Sequence, residues 1–328
     1  MTAPLVLLGD VGGTNTRLGL LQSYGASPSQ VTTFRNADFG SFDDLLQAYL
    51  GKTQSPRIAE VILAVAAPVE GDVVILTNCD WQIATQSVCK MVGTKTLRII
   101  NDLEALALSL NHLLAPSIKH IAGPTRPADP VGRKLVLGVG TGFNAACAMG
   151  ASTPVILPAE CGHMTLPVET AEGLELRNFL ARGRERASVE RALSGQGLVD
   201  VYHWVAQSQG VVAKDLTAAQ IATYAVSASD PLCAKAAHHV LTILATVMGD
   251  LVLAYLPYGG VYLAGSVARA LAPLMAVPDF ETRFAKKGRQ SGLLRTFPIS
   301  LITDDGAGLV GCAALASLRN ISNMEYAQ

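Results

Sequence analysis

A short glycine turn near the start of the chain, in "LLGDVGGTNTRLGLL" (residues 7–21), constrains the fold more than any other feature. Short apolar runs stand on both sides of the turn, and neither has a helical period. The pattern predicts a β-hairpin whose tip carries Asp10, Gly12, Gly13, Thr14 and Asn15. Glycines at a tight turn let backbone N–H groups approach an anion, and an acid at a strand end can hold a cation. A phosphate-binding turn and an ordinary hairpin turn with polar residues both fit this stretch.

Two common nucleotide-binding motifs do not fit this turn. The dinucleotide fingerprint needs its glycines to open a helix, and the Walker A loop needs Gly-Lys followed by Ser or Thr. A second stretch, "LVLGVGTGFNAACAM" (135–149), repeats the order of strand, glycine turn with threonine, and second apolar run. Two such hairpins, with Thr14 and Thr141 as hydroxyl donors, predict a polyphosphate held from two sides. The alternative is a chance repetition in a glycine-rich chain.

The composition limits the class of protein. A chain of 328 residues, of which 50% are hydrophobic, is long enough for two globular domains. Its formal net charge of -1 argues against a nucleic-acid or acidic-membrane partner. The first apolar run stops at Asp10, too early for a signal peptide. The six cysteines are scattered without a C-x-x-C pair, which favours reduced thiols in the cytoplasm.

Apolar strand-like runs alternate with helical patterns along the chain, which indicates an α/β fold. The predicted strands cover residues 61–69, 97–100, 134–139, 260–265 and 299–303, and the predicted helices 42–50, 103–114, 173–181, 217–227 and 233–256. The most apolar segment, 238–256, contains Asp250 and precedes Pro257, so we expect a buried core helix rather than a membrane span. The proline-rich segment 115–133 has no period and is expected to connect two bodies.

An acidic residue stands where the strand "LRII" meets a helical pattern. Either Asn101 or Asp102 would cap this helix, and caps are far commoner than catalytic bases. A carboxylate at a helix N-terminus also stays ionised beside the positive end of the helix dipole. Ligands of open α/β sheets bind at this carboxyl edge of the strands. Asp102 is therefore a candidate base as well as a candidate cap.

Two further stretches carry candidate ligand-binding residues. Glu160 and His163 lie between prolines, which predicts a loop. A metal site there lacks a third nearby ligand, and the remaining interpretations are a polyhydroxylated ligand or a plain surface loop. Glu190 is expected to begin a short helix that Gly195 ends, and a solvent-facing helix residue is the alternative there. The small residues of 304–317 and the strand-to-helix turn at Gly265 and Ser266 are typical of close backbone packing.

The ordered set of motifs resembles the bacterial glucokinases, which belong to the superfamily of sugar kinases, actin and heat-shock chaperone ATPases. The set is "GDVGGTNTRLGL", "AAPVEGD", "TNCDW", "IINDLEAL", "GVGTG", "ECGH", "ERALSGQGL", "GGVYLAGS" and "GLVG". It spans Leu5 to about Leu318, and its order is more specific than any single motif. The cysteine-rich zinc motif of the other large bacterial sugar-kinase group is absent from the sequence, which favours the glucokinase branch.

The resemblance implies an actin-like ATPase fold, in which two ribonuclease-H-like α/β domains flank a cleft. The smaller N-terminal domain would comprise residues 1–114 with about 304–320, and would carry the first phosphate turn and the catalytic aspartate. The larger domain, 115–303, would carry the sugar loop, the second phosphate turn and the adenosine site.

The resemblance also assigns roles to the residues that match the family's motifs. The positions facing the ATP phosphates are Asp10, Gly12, Gly13, Thr14, Asn15, Gly140, Thr141 and Gly142, and Asp10 would also hold Mg²⁺. Adenosine would lie at Gly265 and Ser266. The sugar-binding positions are Asn101, Asp102, Glu160, His163 and Glu190, with Asp102 as the catalytic base.

The implied protein is a cytoplasmic enzyme that uses ATP and Mg²⁺ to phosphorylate the 6-hydroxyl of glucose, giving glucose 6-phosphate and ADP. A kinase of another hexose or hexose derivative is the nearest alternative, since Cys161 borders the expected sugar loop. A non-catalytic, sugar-responsive ATP-binding regulator is the alternative from another class. The expected partners are a small sugar and ATP, with no nucleic acid and no membrane, in a monomer or a homodimer.

The chain departs from the family's pattern at two positions near the nucleotide. Asn144 stands where the family continues the second phosphate turn with a glycine. Asparagine tolerates a left-handed backbone better than most residues, so we expect the turn to survive. Ser266 stands in place of the second glycine of the adenosine motif.

Overall fold

The structure, a computed structural model, describes residues 5–54, 57–76, 79–125, 129–151 and 154–325, with side chains described as far as residue 318. Thr77 and Asn78 of the "TNCDW" motif lie outside these residues. The strands are β1 (Leu5–Val11), β2 (Asn15–Leu21), β3 (Ser29–Arg35), β4 (Ile58–Val65), β5 (Val73–Ile75), β6 (Gln82–Ala84), β7 (Leu97–Asn101), β8 (Ile118–Ala122), β9 (Lys134–Val139), β10 (Phe143–Met149), β11 (Val155–Pro158), β12 (Val261–Ala264) and β13 (Ile299–Ile302).

The α-helices stand between these strands along the chain. They are α1 (Phe42–Lys52), α2 (Thr85–Val92), α3 (Asp102–Ser109), α4 (Ala171–Leu180), α5 (Gly195–Ser208), α6 (Ala218–Val226), α7 (Pro231–Tyr255), α8 (Ser266–Met275), α9 (Pro278–Phe284), α10 (Ser291–Leu294) and α11 (Ala307–Glu325). Contacts divide the chain into two compact units. Unit 1 comprises Met1–Ala115, Ala151–Ile156 and Asp304–Gln328, and unit 2 comprises Pro116–Gly150 and Leu157–Thr303.

Unit 1 is built on a five-stranded sheet in the order β3-β2-β1-β4-β7. β1 pairs antiparallel with β2, while β1, β4 and β7 run parallel. Alternate residues of β1 face opposite sides: Leu7 joins a core with α1, and Leu8 joins a core with α3 and α11. Because both faces of the sheet are covered, its central strands are continuous apolar runs.

Unit 2 is built on a six-stranded sheet in the order β11-β10-β9-β12-β13-β8. Its main core includes the buried side of α7, and the buried-core-helix prediction for this segment is confirmed. By length and composition alone α7 is apolar enough to cross a membrane, but 61% of its most apolar window is buried inside the protein.

The two sheets share one topology. In each, a central strand pairs antiparallel with its hairpin partner and parallel with the next strand, as β1 does with β2 and β4, and β9 with β10 and β12. The order β3-β2-β1-β4-β7 therefore corresponds to β11-β10-β9-β12-β13. The two glycine hairpins seen in the sequence hold the same place in their own sheets, and the α/β fold class is confirmed.

Three local predictions were wrong. Segment 115–133 is not only a connection, because β8 lies within it and pairs antiparallel with β13 at the edge of the sheet. The helix expected over 103–114 ends at Ser109. Gly195 begins α5 instead of ending a helix, because the Ser194 side chain accepts a hydrogen bond from the Gly197 N–H at 3.0 Å and caps the new helix.

Candidate active site

The first glycine turn of unit 1 is held together by a buried asparagine. The Gly12 N–H donates to the Asn15 carbonyl at 3.0 Å, which closes the turn. The Asn36 side-chain amide donates to the Gly12 carbonyl at 2.7 Å and accepts from the Thr16 hydroxyl at 2.9 Å. The Asn36 backbone N–H donates to the Thr14 carbonyl at 2.9 Å. Asn36 therefore fixes the turn at three points, and no motif in the sequence analysis marked it.

The carboxylate of Asp10 lies at the end of β1 in a mostly buried setting. Its side chain is 19% exposed, and its Oδ2 lies 3.8 Å from the Arg17 Nη1. The other guanidinium nitrogen of Arg17 lies 3.9 Å from the Asp305 Oδ1. Burial raises the pKa of Asp10 to about 6; Arg17 opposes this shift and Asp305 adds to it. Asp10 is thus a carboxylate whose charge is poorly compensated by the protein itself.

Asn101 and Asp102 both contact the first turn of α3. Asn101 is the N-cap of α3, since its Oδ1 accepts from the Leu103 N–H at 2.9 Å and its amide donates to the Ala67 carbonyl at 3.3 Å. Asp102 is the first residue of the helix, and its Oδ1 also accepts from the Leu103 N–H at 2.9 Å. The helix therefore keeps a side-chain cap from Asn101 whatever Asp102 does.

The strand register of unit 1 places this pair at the same sheet edge as the glycine turn. Val11 is level with Val65 of β4, and Val65 is level with Asn101 of β7. The three strands are parallel, so their carboxyl ends meet at one edge, where the first and third are about 10 Å apart. The structure thus brings Asp10, the first turn, Asn101 and Asp102 to one edge.

The second glycine turn belongs to unit 2 and is pinned by its neighbours. The Gly140 N–H donates to the Gly142 carbonyl at 3.0 Å, and the Gly140 carbonyl accepts from the Gly195 N–H at 2.8 Å. Gly265 lies against the Val139 carbonyl with a φ of 99°, and both features exclude a side chain there. The segment of Gly265 and Ser266 therefore abuts the second turn, and Ser266 begins α8.

Of the candidate sugar residues of unit 2, Glu190 contacts the same turn, while Glu160 and His163 lie close to each other. The Glu190 Oε2 accepts from the Phe143 N–H at 2.9 Å, directly after Gly142. His163 Nε2 lies 4.0 Å from Glu160 Oε2, and these side chains are 68% and 59% exposed. Among the described residues, no group of three potential metal ligands includes them. Two polar side chains that are open to solvent can donate and accept hydrogen bonds with a polyhydroxylated ligand.

The second turn is intact with Asn144 after it, and the backbone of Asn144 is not left-handed. Asn144 lies inside β10, level with Gly138 of β9. Its side-chain Oδ1 accepts from the Cys161 N–H at 2.9 Å and from the Ala145 N–H at 2.8 Å. The residue that replaces the family's glycine thus contacts the loop that carries Glu160 and His163.

Solved structures of similar fold define the class of protein. The fold is the actin-like ATPase fold, which solved glucokinases share. The chain is 31% identical to the crystal structure of a glucokinase from an Antarctic psychrotroph, with a TM-score of 0.79 over 96% of this chain and 99% of that one. The glucokinase of Balamuthia mandrillaris in complex with glucose has a TM-score of 0.83 at 22% identity, over 95% of this chain and 93% of that one. A glucokinase of the ROK family from Streptomyces griseus, in complex with glucose and AMPPNP, has a TM-score of 0.66 at 18% identity, over 95% of this chain and 98% of that one.

The family follows from the sequence comparisons. The family model described as Glucokinase matches residues 7–319. The glucokinase of Mesorhizobium japonicum is 34% identical over 312 residues, which cover 95% of this chain and 91% of that protein. The chain belongs to the glucokinase family.

Proposed function

We propose that Asp102 is the general base of a glucokinase reaction in which the two glycine turns hold ATP. The reaction is the ATP-dependent phosphorylation of glucose, giving glucose 6-phosphate and ADP. As the sugar 6-hydroxyl oxygen forms its bond to the γ-phosphorus, its proton passes to the Asp102 carboxylate. The bond between the γ-phosphorus and the oxygen bridging to the β-phosphorus breaks, and ADP leaves.

The observation that carries this proposal is that α3 begins with two adjacent acceptors, Asn101 and Asp102, for one backbone N–H group. Asn101 supplies a cap, so the helix does not depend on an acidic side chain at position 102 to begin. Asp102 nevertheless stands at the carboxyl edge of β7, in the first turn of a helix that favours its ionised form. An ionised carboxylate at this position suits a base that accepts a proton from an alcohol.

The sugar would be bound by Asn101, Asp102, Glu160, His163 and Glu190. Carboxylates are strong acceptors for sugar hydroxyls, since a charged partner shortens and strengthens a hydrogen bond. Glu160 and His163 support this role because most of each side chain is exposed and free to meet a ligand. Glu190 would use the acceptor capacity that its bond to Phe143 leaves.

The nucleotide would be bound by both turns. Backbone N–H groups of Gly13, Asn15 and Gly142 would face the phosphates, while the N–H groups of Gly12 and Gly140 close the two turns. The hydroxyls of Thr14 and Thr141 would add donors, since both residues are exposed at their turn tips. Gly265 and Ser266 would contact adenosine, and their packing against the second turn supports this assignment.

A magnesium ion fits the chemistry of Asp10. Burial disfavours the charge of this carboxylate, so a cation beside it would relieve an unfavourable environment. Mg²⁺ prefers oxygen ligands and is usually bound by one or two carboxylates together with substrate phosphates. When bound, Mg²⁺ would neutralise negative charge on the ATP phosphates. Asp10 would hold it, while Arg17 would stay the protein's own counter-charge.

The remaining assignments concern the protein as a whole. We propose that unit 1 is the domain of the first phosphate turn and the base, and that unit 2 is the domain of the sugar loop and the adenosine site. The formal net charge of -1 and the unpaired cysteines support a cytoplasmic enzyme without nucleic-acid or membrane partners. A homodimer stays a prediction.

A coupled ADP-release assay across a panel of hexoses tests the proposal. We expect glucose to give the highest kcat/KM, with equal amounts of ADP and phosphorylated sugar, and Asp102→Asn to slow the formation of both products together. If a different hexose is turned over efficiently and glucose is not, the protein is a hexose kinase with another substrate. ATP hydrolysis that ignores the hexose and yields no sugar phosphate would instead indicate a sugar-responsive regulator.

A further inference from the structure

The loop that carries two candidate sugar residues is tied to the strand that follows the second phosphate turn. We call residues 160–163 the sugar loop and residues 140–142 the second turn. The Asn144 Oδ1 accepts from the Cys161 N–H of the sugar loop at 2.9 Å. Cys161 is buried, so its N–H has no ready replacement partner in water. One side-chain oxygen therefore fixes the backbone of the sugar loop directly after Glu160.

The peptide between the second turn and Asn144 is held on both sides. The Phe143 N–H donates to the Glu190 Oε2 at 2.9 Å, while the Phe143 carbonyl lies against Gly162 so closely that no side chain would fit there. Glu190 also touches the turn itself, since a Cβ on Gly142 would lie 2.5 Å from its Oε2. Any shift of the sugar loop must therefore move Phe143, and with it the second turn.

We propose that Asn144 is a positioning residue that couples glucose binding at the sugar loop to nucleotide binding at the second turn. This inference rests on the proposed function, which assigns the sugar to the loop and the phosphates to the turn. The structural basis lies wholly within unit 2. A ligand that orders one of the two segments leaves less to be ordered by the other, which is positive coupling and is reciprocal.

A purely structural role for Asn144 makes a different prediction. If the Asn144 side chain only stabilises the fold, its loss lowers the melting temperature but leaves the ratio of glucose affinities with and without nucleotide unchanged. If it couples the two segments, its loss changes that ratio. The ratio is therefore the measurement that separates the two roles.

The test uses the full chain and calorimetric titration of glucose, with and without a saturating non-hydrolysable ATP analogue and Mg²⁺. For the wild type we expect the analogue to tighten glucose binding by about 5-fold or more, the lower end of usual coupling between sites. In Asn144→Ala we expect the glucose Kd without nucleotide to rise about 10-fold, the usual effect of leaving a buried donor unpaired. In this variant, the ratio of the glucose Kd without the analogue to the glucose Kd with it should fall towards one.

Two further variants make the result specific. Asn144→Asp keeps an acceptor oxygen for the Cys161 N–H, so its glucose affinity without nucleotide should stay near that of the wild type. Asn178→Ala removes an exposed asparagine on α4 and should leave both affinities and their ratio unchanged. A wild type that phosphorylates glucose but has a ratio of one, or an Asn144→Ala variant that keeps the wild-type ratio, would overturn the coupling. Absence of glucose binding and turnover in the wild type would refute the proposed function, and the inference with it.

Discussion

Gly308 stands directly against the carboxylate of Asp10: a Cβ added at Gly308 would lie 2.6 Å from the Asp10 Cγ. Gly308 is the second residue of α11, so the start of this helix covers the acid at the end of β1. Covering a carboxylate removes water from it, which is the main reason that its pKa rises to about 6. The glycine leaves just enough room for an acid that is costly to bury.

We expect Asp10→Asn to stabilise the ligand-free protein at neutral pH. The Asp10 pKa is about 6 in the folded protein, well above its ordinary value of 3.8, so the folded state binds more protons between pH 4 and 6. Stability is therefore lost as the pH rises through this window. The asparagine side chain does not titrate, so above about pH 6 the variant should be more stable than the wild type by on the order of 3 kcal/mol. Urea unfolding of variant and wild type from about pH 3 to about pH 8 measures this difference.

The same variant should lose Mg²⁺-dependent turnover while it retains glucose binding. The control is the pH series itself, because the stability difference between variant and wild type should vanish at about pH 3 and below, under the ordinary pKa of 3.8, where Asp10 is protonated in both the folded and the unfolded state. A variant that is less stable than wild type at pH 8 would contradict the burial argument. An unchanged Mg²⁺ titration of activity would remove Asp10 from the nucleotide site.

Asn36→Ala should loosen the first turn. Its loss leaves the Gly12 carbonyl and the Thr16 hydroxyl without their buried partner, which costs about 1–3 kcal/mol of stability. We expect the KM for ATP to rise more than the KM for glucose, because the turn faces phosphate in the proposed function. Steady-state kinetics with each substrate varied in turn measure the split. Gln86→Ala, which removes an exposed amide on α2, is the matched control and should leave both constants unchanged. Equal rises in both KM values would assign Asn36 a general structural role instead.

Glucose should protect the protein against thermal unfolding, because a ligand that binds only the folded state stabilises it by mass action. Glu160→Gln should reduce this protection, since a neutral amide replaces a charged acceptor of sugar hydroxyls. The matched control is Glu175→Gln on the exposed side of α4, where protection should match the wild type. The measurement is the shift in melting temperature across a glucose titration. If the shift is the same in Glu160→Gln and wild type, Glu160 does not bind the sugar.

The hairpins and the helix-to-strand alternation could be predicted because they depend on local patterns. β1 and β9 are buried on both faces and therefore are unbroken apolar runs next to glycines. Edge strands give a weaker signal: in β3 only Phe34 is buried, and β8 exposes Lys119 and His120. The start of α5 depends on a single cap, the Ser194 side chain, and the glycine that follows it is as typical of a helix end, so the local pattern does not predict this start.

The contacts that organise the site could not be predicted from spacing. Asn36 reaches Gly12 across 24 residues, and Asn144 reaches Cys161 across 17. Neither contact produces a periodic pattern in the sequence, because each contact depends on where the sheet brings two distant segments together. Candidate residues such as Asp10 and Asp102 could be found because acids at strand ends are visible in the sequence, while the residues that hold them in place are not.

The most direct test of the central claim is kcat for Asp102→Asn under saturating glucose and ATP, with the melting temperature as the control. Asn101 caps α3 in both proteins, and asparagine at 102 retains an acceptor for the Leu103 N–H, so the fold should be unaffected. We predict that kcat falls by about 10²–10⁴-fold, the usual range for loss of a positioned general base, with a modest change in glucose affinity. Retention of more than about a tenth of the wild-type kcat at unchanged stability would contradict the assignment of Asp102 as the base.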